Sequence, residues 1–266
     1  MWAMSARQSL LVAILAFVKQ TQAQGWPYQG CYTDNVLSRT LRGEHFTDAS
    51  SMSRSLCTLT CAHRDFSYAG LEFGKECYCG YLLNPAATLT SDAECNMPCA
   101  GNPEEDCGAA DRISVYYNGN PLPTIQPTAG TFSYVGCYTD SVSNRVLPFQ
   151  ADFPFGTDPD RCTAACKTSG YKYAGLEFGS ECWCGNSIAL GTQQPDDECY
   201  MRCRGGALQI CGAPDRLTLY EDSGENNSSH CQLCSFERGE PFIKVLGGLA
   251  SDVSVRFPSG VTRRGA

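Results

Sequence analysis

The sequence Tyr68-Ala-Gly-Leu-Glu-Phe-Gly-Lys-Glu-Cys-Tyr-Cys-Gly80 occurs a second time as Tyr173-Ala-Gly-Leu-Glu-Phe-Gly-Ser-Glu-Cys-Trp-Cys-Gly185, with only two substitutions. The chain therefore contains an internal duplication. In each copy apolar and polar residues first alternate, which predicts a strand with one buried face. Gly74 then allows a turn, and Glu-Cys-x-Cys begins a second strand. Each copy is expected to form a β-hairpin with its two cysteines on the same side.

The residue between those cysteines is Tyr78 in the first copy and Trp183 in the second. Because successive side chains of a strand point to opposite faces, these rings are expected to point away from the cysteines. An exposed aromatic ring offers a flat apolar surface for the C–H face of a sugar. We predict that both rings are exposed and stack on a glycan; the alternative is that they belong to the core.

Cysteines and the N-terminus indicate an oxidising compartment. The chain has 18 cysteines in 266 residues, far more than a reduced cytosolic protein carries. Arg7, an apolar run over residues 10–18 and small residues before Ala23 are typical of a signal peptide. We expect residues 1–23 to be removed and the protein to be secreted, extracellular or attached to the cell wall. Eight cysteines recur in each copy: Cys31, Cys57, Cys61, Cys77, Cys79, Cys95, Cys99 and Cys107, then Cys137, Cys162, Cys166, Cys182, Cys184, Cys199, Cys203 and Cys211.

Two cysteines of each copy stand on a predicted short helix. Ser53 and the pair Asp158-Pro159 are typical helix starts. The helix cysteines are four residues apart and therefore share one helix face. Two disulfides are expected to join each helix to its hairpin, contributing about 2–4 kcal/mol each. The predicted order is nested: Cys57 with Cys79 and Cys61 with Cys77, repeated in Cys162, Cys166, Cys182 and Cys184.

Charge and motifs exclude several functions. The formal net charge of -8 disfavours nucleic acid and anionic membranes as partners. None of the three histidines recurs in the other copy, no catalytic motif is recognisable, and secreted thiols oxidise before they bind zinc. We expect no enzymatic activity, cofactor or metal. The carboxylates that a glycosidase would need do recur, as Asp34/Asp140, Glu72/Glu177, Glu76/Glu181, Glu94/Glu198 and Asp111/Asp215.

The rest of the chain divides around the two copies. Residues 119–131 include three prolines, which predict an extended, semi-rigid linker. Residues 223–266 lack the repeat pattern and are expected to be disordered and dispensable for binding. This tail contains Cys231 and Cys234 and two overlapping glycosylation acceptors, Asn226 and Asn227.

The motifs of the two copies resemble the WSC domain of fungal wall-stress sensors and secreted lectins, which is also appended to some secreted oxidases and glucanases. The resemblance rests on Gly-Cys-Tyr-Thr-Asp, a Cys-x3-Cys helix, the hairpin stretch, Cys-Asn-Met-Pro-Cys-Ala-Gly-Asn and Cys-Gly-x-x-Asp-Arg-Leu-x-x-Tyr. It implies a small disulfide-rich α+β fold of the PAN/apple type, with a short helix on an antiparallel sheet and four disulfides, over residues 26–118 and 132–222. An apple-like closure of each domain suggests the pairs Cys31–Cys107 and Cys95–Cys99.

The resemblance also implies binding to β-1,3-glucan, chitin or xylan. The first copy has Tyr81 where the family has asparagine, and Tyr200 begins the loop of the second copy that has lost its asparagines. Asparagine amides at such positions either contact a ligand or cap the backbone of a turn. The glycan-binding candidates are Tyr78, Trp183, Asn96, Asn102, Asn186, Tyr81 and Tyr200.

Together these features predict a secreted, monomeric, lectin-like protein that binds cell-wall polysaccharide without acting on it. Three alternatives stay open. The first is that the chain is the ectodomain of a wall-stress sensor. The second is an accessory region of a secreted oxidase or glycoside hydrolase, and the third is a PAN-like module that binds protein.

Overall fold

The computed structural model describes residues 25–206 and 208–224. The predicted signal peptide, the acceptors Asn226 and Asn227 and the cysteines of the tail lie outside these residues. Within the described residues, no helix is long and apolar enough to cross a membrane.

The first repeat is a helix packed on a sheet. Its elements are β1 (Tyr28–Thr33), β2 (His45–Thr47), α1 (Arg54–His63), β3 (Tyr68–Glu72), β4 (Glu76–Gly80), β5 (Leu89–Thr90), β6 (Pro98–Cys99), β7 (Asn102–Asp106) and β8 (Arg112–Tyr117). Six strands form an antiparallel sheet in the order β2-β4-β3-β8-β1-β5, and β6 and β7 form a separate two-stranded ribbon. The predicted hairpin, β3 and β4, lies inside this sheet.

The second repeat has the same helix-on-sheet architecture, with a single bridge between Arg202 and Ile210 in place of the ribbon. Its elements are β9 (Thr128–Ala129), β10 (Phe132–Thr139), β11 (Phe149–Ala151), α2 (Pro159–Thr168), β12 (Tyr173–Glu177), β13 (Glu181–Gly185), β14 (Gln193–Gln194) and β15 (Arg216–Asp222). The strand order β11-β13-β12-β15-β10-β14 repeats that of the first sheet, and β9 adds to β10. The small disulfide-rich α+β fold with two repeats is confirmed.

Both helices begin where the sequence predicts. The Ser53 hydroxyl accepts a hydrogen bond from the Leu56 amide at 3.2 Å. The Asp158 carboxylate accepts one from the Arg161 amide at 2.9 Å, and Pro159 occupies the first helical position. These side chains satisfy amides that a helix leaves without an internal partner.

Eight disulfides hold the two repeats, and their pairing differs from the prediction. The link between helix and hairpin is confirmed, but the nested order is wrong. Helix α1 leads through a short turn into β3, which runs back along it, and β4 then reverses once more. The helix and β4 therefore run in the same direction. The first cysteine of the helix pairs with the first cysteine of β4, and the second pairs with the second. The pairs are Cys57–Cys77, Cys61–Cys79, Cys31–Cys95 and Cys99–Cys107, then Cys162–Cys182, Cys166–Cys184, Cys137–Cys199 and Cys203–Cys211.

The closure suggested by the apple resemblance, Cys31–Cys107 with Cys95–Cys99, is also wrong. Strand β1 pairs with β5 through Cys31 and Thr90, and the chain continues from β5 directly to Cys95. The ribbon of β6 and β7 folds back on itself, which brings Cys99 to Cys107. Each of these bonds therefore joins elements that are already neighbours.

The hairpin is buried on both faces, whereas the sequence predicts only one. The helix and the disulfides cover one face, and Leu41, Ile113 and Val115 form a second cluster with Tyr78 on the other. Phe73, expected on the buried face, lies in the turn at φ 51° and is 42% exposed.

The linker is docked along the second repeat. The Thr124 amide donates to the Leu208 carbonyl at 2.9 Å. The Tyr220 hydroxyl donates to the Gln126 carbonyl at 2.9 Å, and β9 extends the second sheet. The segment 119–131 is thus part of the packed structure through these contacts.

Candidate functional site

Each repeat buries two carboxylates that a single arginine bridges. In the first repeat, Arg39 donates to Asp34 and, at 2.8 Å, to Glu72. These carboxylates expose only 0% and 5% of their side chains. The second repeat reproduces the arrangement with Arg145, Asp140 and Glu177. Two of the five recurring carboxylate pairs, Asp34/Asp140 and Glu72/Glu177, are therefore part of the fold's interior.

Burial changes the protonation of these groups. It raises the pKa of Glu72 to about 8, and the adjacent Asp34 carboxyl adds to the shift through a hydrogen bond and repulsion. Burial and Asp140 raise the pKa of Glu177 to about 8 in the same way. At mildly acidic pH the carboxyl groups of Glu72 and Glu177 therefore keep their protons.

This arrangement predicts that stability decreases as pH rises. The folded state holds protons on Glu72 and Glu177 above pH 4.5, the ordinary value, whereas the unfolded chain releases them there. The free energy of unfolding should fall between pH 4.5 and about 8 because the folded state binds more protons in that interval. Melting curves at pH 5 and pH 8 should differ by several degrees. A double Glu72→Gln, Glu177→Gln variant should flatten the dependence, and an unchanged slope in that variant would contradict the assignment.

The rings of Tyr78 and Trp183 face away from the disulfides but are not exposed. They are 7% and 9% exposed, which corrects the prediction of exposed stacking surfaces. The guanidinium of Arg39 lies over Tyr78 at 4.6 Å, and that of Arg145 lies over Trp183 at 4.2 Å. His45, on the neighbouring strand β2, stacks on Tyr78 with 5.6 Å between ring centroids. Arg39 and His45 thus cover the Tyr78 ring, and Arg145 covers the Trp183 ring.

The three asparagine candidates cap local backbone. The Asn96 amide donates to the Ala93 carbonyl at 3.1 Å, and the Asn102 side chain accepts from the Glu104 amide at 3.3 Å. Asn186 accepts from the backbone amide of Lys172 at 2.9 Å. These contacts match the turn-capping alternative. Whether these side chains also contact a ligand stays a prediction.

Tyr81 and Tyr200 lie where the two repeats meet. Arg202 of the second repeat lies over the Tyr81 ring at 5.2 Å, and Arg42 of the first lies over the Tyr200 ring at 4.2 Å. Arg202 also pairs with Asp65 of the first repeat at 3.4 Å. We call these reciprocal contacts of Tyr81, Tyr200, Arg42, Arg202 and Asp65 the inter-repeat clasp.

A groove of 870 Å³ opens beside the clasp, with walls from both repeats. We call it the inter-repeat groove; its lining includes Arg42, His45 and Tyr78 from the first repeat and Asp197, Tyr200 and Arg216 from the second. Its size is in the range of sites that hold small organic ligands. It brings together two of the candidates, Tyr78 and Tyr200, whereas Trp183 and the three asparagines are not in its lining.

Comparison with known proteins identifies the repeats. The WSC domain matches residues 28–109 and again residues 134–213. The chain belongs to the WSC domain family. The two WSC repeats are the two structural units described above.

Relatives of this WSC protein occur in fungi. A WSC domain-containing protein of Arthroderma benhamiae is 32% identical over 207 residues, which cover 74% of this chain and 22% of that relative. A second one from that fungus is 35% identical over 196 residues, covering 73% and 26%. A Chaetomium globosum protein named "Putative fungistatic metabolite" is 34% identical over 226 residues, covering 80% of this chain and 99% of the relative. The chain thus spans about a quarter of the length of the two Arthroderma relatives.

The cysteines of the WSC repeats are bonded to one another. The sulfurs of Cys57, Cys61 and Cys77 lie within 4.8 Å of each other, as metal ligands would. However, all cysteines in the described part of the chain are in disulfides. These sulfurs are therefore structural and carry no thiolate for a metal.

Sequence reasoning missed several residues of the site. Arg39 and Arg145 had a signal, since each follows its buried aspartate by five residues in both WSC repeats. Arg42 had none, because the second repeat has Pro148 after the matching leucine. His45 was dismissed because it does not recur, although it is exposed in the groove wall.

Proposed function

We propose that this protein is a secreted, non-enzymatic, lectin-like protein that binds neutral cell-wall polysaccharide, with β-1,3-glucan, chitin or xylan as the candidate ligands. The observation that supports it best is the inter-repeat groove, where the exposed apolar side chains of Val36 and Leu37 stand beside Arg42, His45 and Tyr200, which are able to bind hydroxyl groups. Sugars need this combination of an apolar surface and hydrogen-bonding groups. The disulfides support secretion, since such bonds persist outside the cytosol.

The state of the carboxylates supports binding without hydrolysis. Asp34 and Glu72 are buried beneath Arg39, where a glycosidic bond has no access. In the groove wall, the Glu198 carboxylate forms an ion pair with Arg216, with 2.6 Å between Oε2 and Nε. Asp197 and Asp215 also line the groove and stand outside this ion pair, so sugar release is measured directly in the test below. We propose a monomer for which glycan, and neither nucleic acid nor membrane, is the partner.

The proposal is tested by depletion on insoluble polysaccharides. Purified protein should be removed from solution by at least one of β-1,3-glucan, chitin and xylan, and be released unchanged. Protein reduced and alkylated under denaturing conditions is the control and should stay in solution. Retention on none of the three would contradict the proposed ligand class, and release of soluble sugar during incubation would contradict the absence of activity.

Growth inhibition is a second candidate function. The observation that favours it is the Chaetomium globosum relative, whose printed name includes "fungistatic" and which the match covers over 99% of its length. Binding to wall glycan is compatible with such an effect. Adding the purified protein to germinating fungal spores should slow hyphal extension, and unaltered growth at concentrations that saturate wall binding would exclude this role.

A further inference from the structure

We propose that the two WSC repeats form one composite oligosaccharide site in the inter-repeat groove, in place of one independent site on each repeat. This inference rests on the proposed glycan binding. It assigns the ligand position to residues that no single repeat supplies. The occupant is a short segment of a neutral polysaccharide.

The first step is that the repeats are held together. The inter-repeat clasp places an arginine of each repeat on a tyrosine of the other. Leu82 of the first repeat packs against Cys199 and Ile210 of the second, and Ile125 of the linker joins the same cluster. An apolar contact, two cation–π contacts and an ion pair thus connect the walls of the groove. A site that spans both walls is therefore preorganised.

The second step is that the groove has unused hydrogen-bonding capacity. Arg42 makes no ion pair in the part of the chain that the structure describes; its Nε atom is buried without a hydrogen-bond partner, which leaves the terminal N–H groups as its donors to a ligand. Its guanidinium is held flat on Tyr200 by stacking. A guanidinium so fixed presents N–H donors in a defined plane. Sugar hydroxyls are acceptors that match them.

The third step is the charge of the groove, which favours a neutral ligand over an acidic one. The lining contains three arginines and three carboxylates: Arg39, Arg42, Arg216, Asp197, Glu198 and Asp215. Because these charges balance, the groove does not attract the negative charge of a phosphate or a uronic acid. Val36 and Leu37, 78% and 99% exposed, also line the groove and offer apolar contact to the C–H faces of a sugar.

The duplication supplies a matched control. His45 pairs with Tyr78 in the first sheet as Gln150 pairs with Trp183 in the second. Both His45 and Gln150 are exposed, but only His45 lines the inter-repeat groove. Gln150 lines a separate cavity of 390 Å³ on the second repeat. Equivalent sites on each repeat would make the two positions equivalent; a composite site makes them different.

The test measures binding of laminarihexaose, chitohexaose and xylohexaose to the full chain and to three variants. With whichever oligosaccharide binds, His45→Ala should weaken binding by about fivefold or more, because it removes a side chain that contacts the ligand in the groove. Gln150→Ala should bind like the unmodified protein. Arg202→Ala, which loosens the clasp without touching the groove lining, should also weaken binding.

The outcomes separate the two proposals. If the unmodified chain binds but His45→Ala and Gln150→Ala both leave binding unchanged, or weaken it equally, the composite site is wrong while glycan binding stands. If the unmodified chain binds none of the oligosaccharides and no polysaccharide, the proposed function fails and the composite site fails with it. Melting curves of each variant must match that of the unmodified protein, and Arg42→Gln, which should also weaken binding, replaces His45→Ala or Arg202→Ala if either does not fold.

Discussion

Replacing Arg145 with alanine is expected to lower the free energy of unfolding by about 3–5 kcal/mol, because it removes the guanidinium that pairs with two buried carboxyl groups. Asp140 and Glu177 expose only 1% and 4% of their side chains, and Arg145 contacts both. The same guanidinium also covers Trp183. Urea unfolding of the variant, followed by fluorescence, measures the loss.

Two controls accompany Arg145→Ala: a comparison of its effect at two pH values, and a variant that removes a surface ion pair. Because burial raises the pKa of Glu177, the loss should be larger at pH 8, where that carboxyl ionises, than at pH 5. Lys172→Ala removes an exposed ion pair with Glu221 and should leave the unfolding curve nearly unchanged. A loss for Arg145→Ala that is equal at both pH values would show that packing, not charge, explains it.

Trp183→Ala should be destabilising by about 3–5 kcal/mol, the cost of emptying the space of a large buried aromatic side chain. Trp183 is 9% exposed and packs with Leu147, Leu217 and Leu219. Since it does not line the inter-repeat groove, glycan affinity per folded molecule should be unchanged. Thermal melting and binding isotherms on the same sample measure both quantities.

An opposite result for Trp183→Ala would restore the exposed aromatic surface that the sequence suggests. In that case the melting temperature would stay constant while binding weakened. Trp183→Phe is the matched control, because it keeps most of the apolar volume and loses the hydrogen bond to Glu181. It should retain most of the stability that Trp183→Ala loses.

Local features of the fold were predictable from the sequence because local rules determine them. The alternation in Tyr68–Glu72 and the caps at Ser53 and Asp158 depend on neighbours within a few residues. The disulfide order was not predictable in this way, since it depends on whether α1 and β4 run in the same direction. The burial of Tyr78 was missed for a similar reason, because the cover over its ring comes from Arg39 and His45 on a distant loop and strand.

Residues that recur in both repeats do not reveal the groove, because the groove lies at a contact between the two repeats. Two copies that meet head to tail use different surfaces, so the contact residues of one copy have no equivalent role in the other. Tyr81 is matched by Asn186, and Tyr200 is matched by Asn96. The signal was in the differences between the copies: Tyr81 and Tyr200 were predicted site residues because the copies differ there, whereas Arg42 and Arg202 were not predicted.

The number of oligosaccharides bound per chain tests the composite groove most directly. Isothermal titration of the full chain with laminarihexaose, chitohexaose or xylohexaose measures this number independently of any mutation. One groove built from both WSC repeats, lined by His45 and Tyr200, predicts one oligosaccharide per chain. Two oligosaccharides per chain, bound with similar affinity, would contradict it and show that each repeat binds alone.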